Sequence, residues 1–190
     1  MKKCLILITL MVTNQAFAHP NHDTSLYSAL LHPLTGWDHL LTMLIIGVMA
    51  YQFPMKKGVI LPAIFVSTFG LSAVFSSGLG VGEEQLHLLN QLILVTLIAL
   101  AVVHVVLTKL PLVLITLAIG MIGVVHGVTH GVELDISSSS VMAGLILSTL
   151  AIHAIGFFVA MSITKKHQWV LKAFTICSGV FAATVFVQSI

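Results

Sequence analysis

Two histidines and an aspartate stand at the head of an apolar stretch, in the segment His32-Pro-Leu-Thr-Gly-Trp-Asp38-His39. An ionisable side chain inside a membrane-spanning segment is costly and is a functional candidate by default. In an ideal helix His32 and His39 share a face but lie about 10 Å apart along the axis, too far for both rings to bind one ion. Either the stretch around Pro33 and Gly36 is unwound and brings the rings together, or the residues act as successive stations.

A second set of candidate ligands ends the fourth apolar stretch. His126, His130 and Glu133 follow one another at i, i+4 and i+7, which places them on one face of a helix. Two histidines one turn apart can chelate a single ion, as in helical zinc motifs. The alternative is that these histidines only form hydrogen bonds between helices. Glycines that would let a neighbouring helix pack closely form another stripe: Gly120, Gly123, Gly127 and Gly131.

Further titratable residues are scattered along the other apolar stretches. His153 lies well inside the fifth stretch, where it is either an inner ligand or a transfer station. Glu83 and Glu84 follow a glycine-rich loop, and they are either ligands or residues that complement the dipole of the next helix. His87 and His104 lie towards opposite ends of the third stretch and are additional candidates.

Imidazole and carboxylate ligands without thiolates indicate a divalent transition metal. This ligand set suits nickel, cobalt, zinc, copper or iron, whereas magnesium and calcium prefer more oxygen ligands. Two positive charges that move inward across 100 mV gain about 4.6 kcal/mol. Facilitated uptake of such an ion therefore needs no nucleotide, and the sequence contains no ATP-binding motif.

The composition is that of an integral membrane protein. Of 190 residues, 58% are hydrophobic and 7% are charged, whereas a soluble domain carries about 25% charged residues. The formal charge of +2 does not indicate a nucleic-acid partner, and no arginine is present to bind phosphate or carboxylate substrates. Ten histidines outnumber six acidic residues, which indicates metal or proton chemistry.

The N-terminus has the pattern of a secretory signal peptide. Lys2 and Lys3 precede a short apolar stretch, and Ala16-Phe-Ala18 is a small-x-small cleavage site. We predict a signal peptide over residues 1–18 and a mature chain over residues 19–190. The alternative is an uncleaved seventh helix.

Six apolar stretches predict an all-α integral membrane protein, a six-helix transmembrane bundle after the signal peptide. Each is long enough to cross a bilayer, which takes about 20 residues, and short loops predict antiparallel neighbours. Pro33 is expected in the first turn of its helix. The predicted helices cover residues 32–53, 58–78, 86–108, 110–130, 138–163 and 169–189.

The lysines predict the orientation of the bundle. Lys56, Lys57, Lys109, Lys165 and Lys166 all follow odd-numbered helices, so they belong to one side. By the positive-inside rule this side is the cytoplasm. The mature N- and C-termini should then be periplasmic, in a multi-pass protein of the bacterial inner membrane. The sequence does not set the oligomeric state, and a homo-oligomer remains open.

Both histidine segments resemble the motifs of the HupE/UreJ family of nickel/cobalt permeases. His32-Pro-x-x-Gly-x-Asp38-His39-Leu-Leu is similar to the first motif of that family, and His126-Gly-x-x-His130-Gly-x-Glu133 is similar to the second. His153-x-x-Gly resembles the family's site in the fifth helix. The signal peptide and six helices agree as well, so the resemblance covers essentially the whole chain.

The resemblance implies a secondary transporter, not an enzyme, that carries Ni²⁺ or Co²⁺ as its transported ion and holds no prosthetic group. It implies a functional link to hydrogenase or urease maturation. His32, Asp38, His39 and an acid at Glu83 or Glu84 are then required for transport. Because this chain lacks the proline that often precedes the loop glutamate, the aligned acid is ambiguous. The resemblance implies that His130 and Glu133 are required for transport as well.

Two other classes of function remain open from the sequence. Histidines and an acid can hold zinc and activate water, so an intramembrane metal-dependent hydrolase is one alternative. A metal sensor or accessory subunit that binds without transport is the other. The same ligands serve copper and zinc as well as nickel, so they do not select the ion.

Overall fold

The computed structural model of the chain describes residues 25–134, 136, 138–163 and 165–190. Over these residues the protein is all-helical, as predicted, without a strand. The predicted signal peptide at 1–18 lies outside the described residues, as do His19 and His22.

The described residues form long helices joined by short connections. Two of the connections contain 3₁₀ turns, at Leu107–Lys109 and Lys165–His167. In chain order the α-helices are α1 (Leu26–Thr35), α2 (Trp37–Tyr51), α3 (Met55–Gly58), α4 (Ile60–Ser76), α5 (Glu83–Val106), α6 (Leu112–Glu133), α7 (Ser139–Ser162) and α8 (Trp169–Ser189).

The apolar helices have the length that a bilayer requires. Within the described part of the chain, five helical spans are long and apolar enough to cross a membrane, and α1 with α2 makes a sixth if the bent pair is one span. This is the architecture of a multi-pass membrane protein. Because α6 continues to Glu133 rather than ending near residue 130, all of the second motif lies on helical backbone.

The first span is broken at Gly36. The backbone of Gly36 is extended, with φ −87° and ψ 106°, and the axes of α1 and α2 differ in direction by 82°. The expectation for Pro33 is wrong, because α1 begins at Leu26 behind an N-cap at Ser25 and Pro33 lies near its end. Pro33 has no N–H to continue the helical ladder, and α1 ends two residues later. Proline and glycine together therefore end one helix and begin another.

Side-chain contacts fix the relative directions of the helices. Gln91 of α5 contacts Ser189 of α8, whereas His104 near the other end of α5 contacts Thr175 near the start of α8. These two helices are therefore antiparallel. Gln52, which follows α2, also reaches His104, so α2 and α5 run in the same direction.

The bundle consequently has two distinct ends. The exposed lysines of the described residues gather at one end, which we call the lysine end: Lys56, Lys57, Lys109, Lys165, Lys166 and Lys172. At the other, which we call the glutamate end, α5 begins at Glu83 and α6 ends at Glu133. Fully buried apolar side chains, Phe65, Phe69 and Met43 among them, fill the space between the helices. Large apolar side chains on the outer helix faces are exposed, which suits contact with lipid.

Candidate metal centre

Four histidine rings from three helices meet inside the glutamate end. The ring of His39 on α2 lies 6.4 Å from His32 on α1, 4.6 Å from His130 and 5.2 Å from His126 on α6, measured between ring centroids. The rings of His32 and His130 are 4.7 Å apart. The two histidine segments therefore form one cluster, although 87 residues separate His39 from His126 in the chain.

The break at Gly36 is what brings the first segment together. A continuous helix would place His32 and His39 about 10 Å apart along the axis, whereas the bend turns α1 nearly perpendicular to α2 and brings the two rings together. Of the two alternatives that the sequence left open, the structure has the interrupted helix. A Cβ atom at Gly36 would lie 2.8 Å from His39 Nδ1, so a larger residue would displace that ring.

Three of the side chains have the spacing of a metal site. Ligand atoms of His32, His130 and Glu133 all lie within 4.8 Å of one another. His32 Nε2 is 3.1 Å from His130 Nδ1, which is 3.8 Å from a Glu133 oxygen. Metal–nitrogen bonds of about 2.1 Å place ligand atoms about 3.0 Å apart at right angles and about 4.2 Å apart at opposite positions. Small side-chain movements would thus let these three groups bind one ion.

Asp38 orients the neighbouring ring of His39. The backbone N–H of His39 and its Nδ1–H both donate to Asp38 Oδ1, over 2.9 and 2.7 Å. In the neutral ring this leaves a lone pair on Nε2, and His39 Nε2 is buried without a hydrogen-bond partner. A carboxylate that fixes the tautomer of a ligating histidine is the usual arrangement around protein-bound metals.

His126 and His153 are fixed in the same tautomer by their own helices. The Nδ1–H of His126 donates to the Ile122 carbonyl over 2.9 Å, and that of His153 donates to the Thr149 carbonyl over 2.7 Å. Nε2 of each ring is buried and has no hydrogen-bond partner, and the same holds for His130. Together with His39, four imidazole nitrogens are therefore left unpaired in the interior.

His153 lies deeper than the other rings and is separated from them by an aromatic side chain. The Phe65 ring is 5.6 Å from His126 and 5.2 Å from His153. Close contact of α2 with α7 places His153 there, because a Cβ at Gly47 would lie 2.1 Å from the His153 carbonyl oxygen. The four-ring cluster and His153 form a column that points from the glutamate end into the bundle.

The predicted glycine stripe on α6 is a packing surface against α4. A Cβ at Gly123, Gly127 or Gly131 would lie within 2.2 Å of a hydroxyl oxygen of α4. Ser72 and Ser76, which face Gly127 and Gly131, each donate to backbone carbonyls. This contact leaves the histidine face of α6 turned towards the cluster.

The remaining predicted residues lie outside the cluster. Glu83 and Glu84 are exposed in the first turn of α5, and the structure does not bring them to the histidines. His87 is exposed, with Nε2 3.2 Å from the Ser189 carbonyl oxygen. Buried His104 lies towards the lysine end, where its Nδ1–H donates to Thr175 Oγ1 over 2.8 Å.

Asn90 is the residue that the sequence reasoning missed. Its side-chain amide lies near the Glu133 carboxylate and interacts with it, so α5 also contributes to the surroundings of the cluster. The pattern that could have identified it is the polar pair Asn90-Gln91 two turns into an otherwise apolar helix. Within the described residues, the carboxylates beside the rings are Asp38 and Glu133, with 20% and 22% of their side chains exposed. Two such charges balance one divalent cation, which reduces the cost of placing it inside the membrane.

Comparisons with known proteins agree with the motifs. The profile of the HupE / UreJ protein family matches residues 7–185. The chain is 28% identical over 157 residues to Protein HupE of Rhizobium leguminosarum bv. viciae, an alignment that covers 81% of this chain and 80% of that protein. No solved structure matches the chain. The family match extends over nearly the whole sequence and includes both histidine segments, so the chain belongs to the HupE/UreJ family.

Proposed function

We propose that this protein carries a divalent transition-metal ion, nickel or cobalt, into the bacterial cytoplasm across the inner membrane. The histidine cluster and its two carboxylates are the binding site for the ion on its way through the bundle. Membership of the HupE/UreJ family supports this assignment, because the motifs that resemble those of nickel/cobalt permeases are the segments that form the cluster.

The observation that carries the proposal is the set of unpaired Nε2 atoms on His39, His126, His130 and His153. A buried polar atom without a partner costs roughly 1–3 kcal/mol, and a helical bundle gains nothing from four of them. Bound to a metal, the Nε2 lone pairs of His39, His126 and His153 would each have a partner. His130 would bind through Nδ1, the nitrogen that faces His32 and Glu133. Because histidines 39, 126 and 153 donate through Nδ1, their Nε2 atoms are the ones available to an ion.

Transport fits the arrangement better than hydrolysis. The column of rings runs from the glutamate end to His153 and is suited to an ion that moves between stations. In an intramembrane hydrolase Asp38 would be a candidate general base, whereas here its Oδ1 accepts two hydrogen bonds from His39 and so orients that ring. Imidazole and carboxylate ligands suit nickel and cobalt, and zinc or copper is the alternative cargo.

We place the glutamate end on the periplasmic side, together with both termini of the mature chain, and the lysine end in the cytoplasm. The ion then enters beside the acidic residues and moves inward with the membrane potential. As a supplier of nickel, the protein would serve the maturation of a hydrogenase or a urease.

Uptake of radiolabelled nickel and cobalt by cells that express this chain tests the proposal. We expect accumulation above that of cells without the protein, and no accumulation with His39→Ala present in the membrane at the same level. Equal accumulation with and without the protein would contradict transport. Zinc and copper, measured in the same cells, determine which ion is preferred.

A further inference from the structure

A polar cleft opens at the glutamate end between α2, α5 and α8. Its volume is about 180 Å³, which leaves room for a hydrated cation, since a water molecule occupies about 30 Å³ of liquid. Trp37 and Leu94 form part of the wall, and the polar lining consists of Asp38, His87, Asn90, Gln91 and Ser189. Neither histidine segment predicts this cleft, because most of its residues come from α5 and α8.

The cleft reaches the candidate metal centre at the carboxylate of Asp38. Asp38 lines it directly and is partly exposed, and Asn90 lines it and lies near Glu133. The rings of His126 and His130, by contrast, are fully buried. An ion that is to reach those rings needs a path from water, and the cleft meets the cluster at its charged side chains.

The ligands in the cleft are weaker than those in the cluster. Gln91 Nε2 donates to the Ser189 carbonyl oxygen over 3.0 Å and lies 3.2 Å from His87 Nε2. Amide, carbonyl and single imidazole groups would hold a hydrated ion only loosely, and a conducting path needs sites that release the ion again. Glu83 and Glu84, one turn before His87, raise the concentration of cations near this opening.

We infer that this cleft is the entrance through which a hydrated divalent cation reaches Asp38. The inference rests on the proposed function and adds a route and a first station to it. His87 and Gln91 stand at the rim, Asn90 leads to Glu133, and Asp38 receives the ion. The competing explanation is that these polar contacts only hold the end of α8 against α5.

Cysteine labelling from outside the cell distinguishes the two explanations. In a background with Cys4→Ser and Cys177→Ser, Gln91→Cys and Val185→Cys place a thiol in the cleft from two different helices. Leu92→Cys is next to Gln91 but outside the lining, and exposed Gln85→Cys lies before the cleft on α5. Each variant is treated with a positively charged thiol reagent that does not cross membranes, and the initial rate of nickel or cobalt uptake is measured before and after.

We expect both cleft thiols to react and the uptake rate to fall at least about tenfold, because the attached positive charge repels the cation. Nickel or cobalt added before the reagent should slow the labelling. Gln85→Cys should react with little effect on uptake, and Leu92→Cys should not react.

Two further results would count against the entrance. Unchanged uptake after complete labelling of Gln91→Cys and Val185→Cys, or failure of both thiols to react, would overturn it and leave transport itself intact. Absence of uptake in the unlabelled background and in the wild-type protein would instead overturn the proposed function.

Discussion

Two kinds of buried histidine occur in this bundle, and they differ in what their ring nitrogens contact. His104 uses both nitrogens, because Nδ1–H donates to Thr175 and Nε2 accepts from the Gln52 amide. The Thr175 hydroxyl in turn donates to the Leu171 carbonyl, which fixes the direction of the chain of hydrogen bonds. His153 is equally buried but pairs only Nδ1. The first kind stabilises the fold, and the second leaves a ligand atom free.

This difference predicts opposite effects of the same substitution. His153→Leu removes an unpaired polar atom, so the metal-free protein should unfold at the same or a higher temperature while uptake falls sharply. His104→Leu leaves Thr175 and Gln52 without their partner, and it should lower the free energy of unfolding by about 1 kcal/mol. Thermal unfolding in detergent measures the stability of each variant, and metal uptake in cells measures its transport. A less stable His153→Leu protein would show that its ring supports the fold rather than the ion.

The geometry of the cluster predicts that metal uptake requires each of its side chains. His32→Ala, Asp38→Ala and His39→Ala should each reduce metal uptake to that of cells without the protein, because each removes a ligand or the group that orients one. Immunoblots of membrane fractions should show normal amounts of protein. His167→Ala changes an exposed residue at the lysine end and serves as the matched control. Normal transport by His39→Ala would make the central assignment wrong.

Residue types and spacing predicted most of the cluster but not its internal order. The i, i+4 histidines of α6 and the Pro33–Gly36 stretch in the first span are visible in the sequence. Which nitrogen is free depends on carbonyl and carboxylate partners that only the folded helices supply. Asn90 was missed for the same reason, since its interaction with Glu133 is between helices that the sequence does not pair.

At the scale of helices, α4 and α6 pack closely through the glycines of α6. A Cβ at Gly127 would lie 2.2 Å from the Phe69 carbonyl oxygen, whereas at Gly120 the nearest atoms are 3.7 and 3.8 Å away. Gly127→Ala should therefore force the helices apart and destabilise the protein by about 1–3 kcal/mol. Gly120→Ala, on the same helix, should be tolerated. Unfolding temperature in detergent and the amount of protein in the membrane test the pair, and equal stability of the two variants would contradict the packing.

Apolar length predicted where the helices are, because crossing a bilayer imposes a minimum on each of them. The observed helix bounds differ from the predicted ones by a few residues where a short turn such as α3 precedes the long helix. Apolar length does not predict the 82° bend between α1 and α2. Proline and glycine indicate where a helix stops, but the direction of the next one follows from its packing against α7.

For the whole molecule, the separation of lysines and glutamates predicts how it lies in the membrane. Reporter fusions after Lys57, Lys109 and Lys166 should report the cytoplasm, and fusions after Gly82, Ser138 and Ile190 the periplasm. The helix directions agree with this division, because α5 and α8 are antiparallel and bring His87 and Ser189 to one end. A cytoplasmic signal after Ile190 would contradict both the six-helix count and the periplasmic entrance.

The dependence of uptake on external pH tests what drives the ion across the membrane. Histidine must be neutral to bind a metal, so protons compete with the ion for the rings of the cluster. Uptake at limiting metal and constant membrane potential should therefore fall as the external pH is lowered. If acid protonates several rings of the cluster, one ion displaces more than one proton, and the decrease should be steeper than a single titration. It should appear as a weaker apparent affinity, because saturating metal displaces the protons.

A proton-driven symporter predicts the opposite sign, since external acid would then supply the driving ion and speed uptake. Initial rates over a range of nickel or cobalt concentrations, at two external pH values in energised cells, separate the two mechanisms. Val185 lies in the wall of the entrance, and neither valine nor alanine carries a titratable group, so the pH response of Val185→Ala should match that of the wild-type protein. Faster uptake at the lower pH would exclude simple facilitated movement and would assign the histidines of the cluster to proton coupling.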